Sequence, residues 1–210
     1  MNDMNHYNIE TICVQGGYQP ANGQPRVLPI YQSTTFKYDS SEHVGKLFDL
    51  EEEGFFYTRL ANPTVDCVER KIAELEGGIA AMCTSSGQAA SLIAVLNICS
   101  CGDHIVSSST IYGGTTNLFA VTMKRMGIDV TFVNPEASVE EIEQAIQENT
   151  KLIFAETIAN PALVIADIEK LAQVAHKNKI PLVIDNTFAT PVNCRPIEYG
   201  ADIVIHSTSK

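Results

Sequence analysis

The chain has 210 residues, 45% of them hydrophobic, and a formal charge of -11 from 14 Lys plus Arg against 25 Asp plus Glu. A chain of this length can bury roughly 70% of the surface its unfolded form exposes, and its composition excludes disordered, collagen-like and coiled-coil readings. The acidic balance opposes phosphate backbones and argues against nucleic acid as a partner, so any anion it binds must meet a local site.

Six cysteines (Cys13, Cys67, Cys83, Cys99, Cys101, Cys194) are scattered without zinc-site spacing or the density of a small secreted scaffold, which predicts reduced thiols and a cytoplasmic location. Cys99-Ser100-Cys101 reads as neighbouring buried thiols in preference to a redox pair. The five histidines, His6, His43, His104, His176 and His206, are not paired at metal-ligand spacing, so no metal is expected. The first residues, Met1 to His6, lack the basic and apolar regions of a leader, and no apolar run approaches the roughly 18 residues of a membrane span.

In chain order, residues 1–60 show little periodicity and carry Gly16, Gly17, Pro20, Gly23, Pro25, Pro29 and Gly54, the pattern of an extended arm that lies over a partner subunit or another domain, with a disordered tail as the alternative. At Asn62-Pro63 the pattern changes to an N-cap and first-turn proline. Val65, Val68, Ile72 and Leu75 follow at helical spacing, and Gly77-Gly78 closes the helix. Short apolar runs then predict strands near 80–84, 104–108, 128–133, 151–155, 181–185 and 202–206. Helices fit between most of them: one from Val139 to about Glu148, opened by Ser138 and Glu141 in capping-box spacing, and one from Ile168 to about Asn178, capped by Asp167. The alternation predicts an α/β fold with a mainly parallel sheet, helices on both faces, and ligands at the carboxyl ends of the strands. The sequence stops at Lys210, four residues after a strand that should continue into a crossover. We therefore expect a longer protein, with the sequence ending at a chemically modified lysine.

Three segments fall on that carboxyl edge. Thr84-Ser85-Ser86-Gly87-Gln88-Ala89-Ala90 passes from strand to helix, and N–H groups at a helix start attract phosphate; plain packing of small residues is the alternative. It is neither a Walker loop nor a dinucleotide fingerprint. Asp185 ends the run Ile180-Pro181-Leu182-Val183-Ile184, where a buried carboxylate needs a cation, a metal or a protonated ring nitrogen, unless it caps the next turn. His206-Ser207-Thr208-Ser209-Lys210 sets hydroxyls beside an amine that can act as a nucleophile, or is a loop with a surface lysine.

Taken together with Pro29-Ile30-Tyr31-Gln32-Ser33-Thr34-Thr35-Phe36, Tyr57-Thr58-Arg59, Asn62-Pro63-Thr64, Ile111-Tyr112-Gly113-Gly114-Thr115 and Glu156-Thr157 to Asn160-Pro161, these segments run in the order of a known family. The sequence resembles the Cys/Met-metabolism family of pyridoxal-5'-phosphate (PLP) enzymes, which includes cystathionine synthases and lyases, methionine γ-lyase and O-acetylhomoserine sulfhydrylase. The resemblance implies an aspartate-aminotransferase-like, fold type I large domain over residues 61–210, incomplete here and lacking its C-terminal domain. Residues 1–60 would be an arm that reaches a neighbouring active site.

It further implies that Lys210 forms a Schiff base with PLP and shuttles protons, that Asp185 pairs with the pyridine nitrogen, and that Tyr112 stacks on the ring. Gly87, Gln88, Ser207 and Ser209 match the phosphate cradle, and Tyr57 and Arg59 match the pair that reaches the same phosphate from a neighbouring subunit. Asn160 matches a residue near the phenolic oxygen and Thr187 one that supports the ring. A homodimer or homotetramer acting on an amino-acid substrate is implied.

Methionine γ-lyases typically carry Cys where this sequence has Gly114, and Phe48-Asp49-Leu50 to Arg59 looks closest to O-acetylhomoserine sulfhydrylases. The resemblance thus favours replacement of acetate on O-acetyl-L-homoserine by sulfide or methanethiol. γ-Elimination of the methionine or cystathionine γ-lyase type is the alternative, and a non-catalytic fragment or cofactor-binding scaffold is the alternative of another class.

Overall fold

A computed structural model describes residues 7–210, so the first six residues of the expected arm, His6 among them, lie outside the described residues. The chain divides into two compact units, one running to Cys83 and one over Thr84–Lys210. In the first, α1 spans Ile9–Gln15, α2 Ser41–Phe48 and α3 Pro63–Glu76. The last forms for the reasons its sequence gives. The Asn62 side chain accepts the Thr64 N–H, Pro63 sits in the first turn, and Gly77 ends the helix at a φ of 74° that suits glycine.

Two expectations for this unit need correction. The aperiodic stretch contains α1 and α2; the Ser40 side chain caps α2 by accepting the His43 N–H. Helices of 7 and 8 residues make too few turns to stand out between prolines and glycines. The strand near 80–84 does not form. Ile79 and Met82 are exposed, and the Cys83 N–H donates to the Glu69 carboxylate at 2.7 Å instead of to a neighbouring strand. An apolar run supplies no ladder partner, and without one there is no strand.

The second unit is a five-stranded sheet in the order β2-β1-β3-β4-β5, with every pairing parallel. The strands are β1 His104–Ser108, β2 Asp129–Val133, β3 Thr150–Glu156, β4 Leu182–Asp185 and β5 Ile203–Ile205. Helix α4, Gly87–Ile98, precedes β1. Helix α5, Gly113–Asn117, and a π-helical continuation over Leu118–Met123 link β1 to β2; α6, Val139–Ala145, and α7, Ile168–Lys177, make the next two crossovers. Helix α8, Thr190–Asn193, and a 3-10 turn over Pro196–Tyr199 lead into β5.

Alternate strand residues serve two cores. Val106, Ile153, Ala155, Leu182 and Ile184 pack with Ile142 of α6 and with Ile168, Leu171 and Val174 of α7. Ile105, Leu152, Phe154, Val183 and Ile205 pack with Val95 of α4 and with Phe119 and Met123 of the π-helical stretch. This period of two on a doubly covered sheet explains why the strands read as continuous apolar runs. Inside the sheet, the buried His104 ring contacts Thr150 Oγ1 at 2.8 Å and Thr131 Oγ1 at 2.9 Å, joining β1 to both neighbours, and burial pushes its pKa below the usual histidine value.

Both capped helices keep their predicted starts. Ser138 and Glu141 form a complete capping box on α6, and the Asp167 side chain accepts the Lys170 N–H at the start of α7. Helix α6 ends at Ala145, short of Glu148, because Ile146 turns extended and the Gln147 N–H bonds Thr150 Oγ1 at 2.7 Å to begin β3. Cys101 is exposed, contrary to the buried-pair reading. Cys99 is buried, and burial, aided by the Asp103 charge, pushes its thiol up to about 11, away from reactive thiolate chemistry. Among the described residues no helix is long and apolar enough to cross a membrane.

The strand order sets the site. From β1 the chain steps outward to β2, then returns past β1 to β3 and continues the other way. The loops leaving β1 and β3 therefore part in opposite directions and leave a crevice at their carboxyl ends.

Candidate active site

A pocket of about 200 Å³ opens in that crevice, lined from the ends of β1, β3, β4 and β5 and from the start of α4. All the sequence-predicted site residues except Tyr57 and Arg59 line it. Those two belong to the first unit, where the Arg59 guanidinium carbon sits 5.1 Å from the centre of the Tyr57 ring.

Helix α4 contributes Ser86, Gly87 and Gln88. The Ser86 hydroxyl accepts the Ala89 N–H at 3.1 Å, while the first-turn N–H groups of Gly87 and Gln88 have no acceptor within the helix. They present partial positive charge to the pocket. The Gln88 side-chain amide donates to Thr115 Oγ1 at 2.9 Å, which steadies this turn against α5. Gly87 is required sterically: a Cβ there would lie 2.8 Å from Ser207 Cβ and 3.2 Å from Ser207 Cα. The helix start and the loop after β5 can therefore meet only without a side chain.

Across the pocket, one chain of hydrogen bonds sets the loops after β4 and β5. The Thr187 N–H donates to Asp185 Oδ1 at 3.0 Å, and the Ser207 N–H donates to Thr187 Oγ1 at 2.8 Å. Beneath it, fully buried Asn186 donates its N–H to the Ile205 carbonyl at 2.8 Å and its side-chain amide to the Cys194 carbonyl at 2.9 Å. Asp185 thus caps its own turn, the alternative reading of that carboxylate, and also lines the pocket. Ser207, Ser209 and the exposed Lys210 close this side.

From β1 comes Tyr112, 48% exposed, and from β3 come Glu156, Ile158 and Asn160. The Tyr112 N–H donates to Glu156 Oε1 at 2.6 Å across the crevice. Burial pushes the Glu156 carboxyl up to about 7, with the Asp185 charge adding to the rise and the backbone N–H groups of Tyr112 and Asn160 opposing it.

Sequence reasoning assigns no role to Ser86, Glu156, Ile158 or Phe188, all of which line the pocket. The signal for Glu156 was available: it ends the apolar run Leu152–Ala155 as Asp185 ends its own, and the two residues are register partners on adjacent strands.

A deep crevice at a parallel sheet's switch point, with an amine, a carboxylate, hydroxyls and a helix start facing it, is the architecture of a cofactor-dependent α/β enzyme. Residues 10–210 match the model of the Cys/Met metabolism PLP-dependent enzymes, and the chain belongs to that family. It is 49% identical over 205 residues to the O-acetyl-L-homoserine sulfhydrylase of Corynebacterium glutamicum, which covers 97% of this chain and 47% of that protein. It is 44% identical over 205 residues to the L-methionine gamma-lyase of Fusobacterium nucleatum, covering 97% of this chain and 52% of that one. A solved Campylobacter jejuni chain, described as an O-acetylhomoserine (thiol)-lyase and carrying N'-pyridoxyl-lysine-5'-monophosphate, superposes with a TM-score of 0.93 at 38% identity, over 98% of this chain and 50% of that one. The chain spans about half the length of these relatives.

The pocket fits PLP on its own chemistry. A helix start opened by a glycine that admits no Cβ, flanked by two serines, suits a phosphate; a carboxylate suits a protonated ring nitrogen; and an exposed amine suits an aldehyde. Gly87→Ala should therefore push the Ser207 backbone away and weaken coenzyme retention about tenfold or more, with a stability loss of about 1–3 kcal/mol. Equilibrium dialysis against PLP and urea unfolding would measure the two effects. Wild-type retention in this variant would remove the steric basis for the cradle.

Proposed function

We propose that the whole protein carries out γ-replacement on O-acetyl-L-homoserine, exchanging acetate for sulfide or methanethiol to give homocysteine or methionine. The observation that carries this reading is the 49% identity to a sulfhydrylase over nearly the whole chain. A supporting feature is Gly114, where a Cβ would fall 2.6 Å from Tyr112 Cε1. The ring occupies the space in which the typical lyase cysteine would begin.

Bound in the pocket, PLP supplies an electron sink for the charge left when the substrate α-proton departs. Lys210 Nζ would hold the coenzyme covalently and, once displaced by the substrate amine, carry that proton. The Asp185 carboxylate would keep the ring nitrogen protonated. Gly87 and Gln88 N–H groups and the Ser207 and Ser209 hydroxyls would hold the phosphate. Tyr112 would cover the ring face, Asn160 would lie near the phenolic oxygen, and Thr187 would support the ring.

Residues 1–60 would act as an arm, Tyr57 and Arg59 reaching the phosphate in a neighbouring subunit of a homodimer or homotetramer, with residues 61–210 as the incomplete coenzyme domain. The exposed apolar side chains Val14, Val27, Ile30, Phe48 and Leu50 suit burial against such a partner. Six free thiols suit a reducing compartment, the cytoplasm.

The test incubates the full-length enzyme with O-acetylhomoserine, with and without sulfide, and with methionine alone. Homocysteine formed only when sulfide is present supports the proposal. Rapid 2-oxobutanoate from methionine assigns it instead to γ-elimination, the reading favoured by the lyase relative. Gly114→Ala should swing the Tyr112 ring rather than unfold the chain, since the obstruction is a side chain. Replacement should slow about tenfold or more while the unfolding free energy stays within about 0.5 kcal/mol of wild type. Unchanged turnover would show that the ring's place in the pocket is immaterial.

A further inference from the structure

Four titratable groups line the pocket, Tyr112, Glu156, Asp185 and Lys210, and the proposed chemistry uses all but Glu156. Glu156 stands at the end of β3, on one side of the crevice where the chain reverses its direction across the sheet. Its Oε1 accepts the Tyr112 N–H from the β1 side at 2.6 Å, and its carboxyl also receives the Asn160 N–H from its own loop. Only 8% of the residue is exposed.

Tyr112 lies in a short connection that leaves β1 with the Ser109 N–H on the Val133 carbonyl at 2.8 Å and passes through Ile111, which is buried in the core. The Ser108 hydroxyl meets Thr110 at 3.2 Å within the same loop, and α5, which follows, has only five residues and no side-chain cap on its N-cap residue Tyr112. Beside these contacts, the bond to Glu156 ties the Tyr112 main chain directly to the end of β3, on the opposite wall of the crevice. Because the tyrosine main chain is what Glu156 holds, the carboxyl sets where the ring can stand without touching it.

We propose that Glu156 is a positioning residue: by accepting the Tyr112 N–H across the switch point, it fixes the tyrosine ring against the coenzyme. The inference rests on the coenzyme reading above, and it concerns reach, not charge. An acceptor placed at the same distance should serve whether or not it is ionised.

Two conservative variants of the full-length enzyme separate those properties. Glu156→Gln keeps one carbonyl oxygen for the Tyr112 N–H at the end of a side chain of the same length, while removing the charge and the second oxygen. Glu156→Asp keeps the charge and withdraws the acceptor by one methylene. The readouts are the PLP dissociation constant and the visible circular dichroism of bound PLP, which reports how the ring is held. The inference expects Glu156→Gln to remain within about twofold of wild type, and Glu156→Asp to bind about tenfold more weakly with a diminished signal, the scale of one buried N–H left unpaired.

The reverse order, Asp normal and Gln impaired, would make Glu156 an electrostatic group and overturn the proposal, as would two variants both equal to wild type or both equally impaired. A second measurement repeats the Asp variant in a Tyr112→Leu background, which keeps the N–H and deletes the ring. The Asp effect should largely vanish there; an effect of unchanged size would show that Glu156 does not act through Tyr112. Failure of wild-type protein to bind PLP would instead sink the coenzyme reading, so the two failures are distinguishable.

Discussion

Replacing Lys210 with alanine in the full-length enzyme is expected to abolish turnover while leaving the fold in place. Lys210 lines the pocket after β5, and its side chain belongs to neither core. A substitution of that kind usually changes stability by less than about 0.5 kcal/mol. Its proposed roles are different in scale, because the same amine is both the covalent anchor and the base that takes the α-proton. A positioned base alone contributes about 10²–10⁴-fold, and losing the nucleophile adds to that. Turnover should fall by at least about 10⁴-fold. Borohydride treatment followed by mass measurement should trap coenzyme on the wild type and none on the variant. PLP should still be found in the pocket by dialysis, held by the α4 start and the two serines. Persisting turnover, or trapping at another lysine, would remove Lys210 from the mechanism.

The carboxyl edge was legible because its residues break strong patterns. Asp185 interrupts an apolar run, Gly87 interrupts the entry to a helix, and Ser207 to Lys210 follow a strand that ends abruptly. Each departure stands out against the continuous apolar runs of a parallel sheet covered on both faces. The capped helices α3, α6 and α7 were legible for a related reason: Asn62, Ser138 and Asp167 act locally, on N–H groups two or three residues away.

What sequence missed depends on partners distant in the chain. The run at 80–84 has strand composition, yet a ladder needs a second strand that composition does not name. Cys101 looks like Cys99, and only the packed structure separates an exposed thiol from a buried one. Glu156 sits in a quoted motif, but its bond to Tyr112 spans 44 residues and exists only because β1 and β3 are neighbours. The same limit applies to Gly114, whose conflict with the Tyr112 ring follows from the ring's direction and not from its spacing.

Asp185→Asn should separate the two duties of that carboxylate. An asparagine oxygen can still accept the Thr187 N–H that Asp185 Oδ1 accepts at 3.0 Å, so the loop that carries Thr187 and, through it, Ser207 should keep its shape. The charge is lost, and with it the proposed means of keeping the coenzyme's ring nitrogen protonated. A charge-assisted hydrogen bond is worth about 1.5–3 kcal/mol, so turnover should drop by roughly 10- to 100-fold at nearly wild-type coenzyme retention and unfolding midpoint. Asp185→Ala removes the turn acceptor as well. It should add a stability loss of about 1 kcal/mol and weaker retention, since Ser207 is then held less firmly. If Asn and Ala variants lose turnover equally and both keep the wild-type midpoint, the Thr187 contact is incidental. A further consequence falls on the neighbouring strand. The Asp185 charge is one cause of the raised Glu156 pKa, so neutralising it in the coenzyme-free protein should let that carboxyl fall from about 7. Infrared titration of the carboxyl band should show Glu156 ionising at lower pH in Asp185→Asn than in wild type. An unmoved titration would mean that the two carboxyls, although register partners at the ends of β3 and β4, do not sense each other.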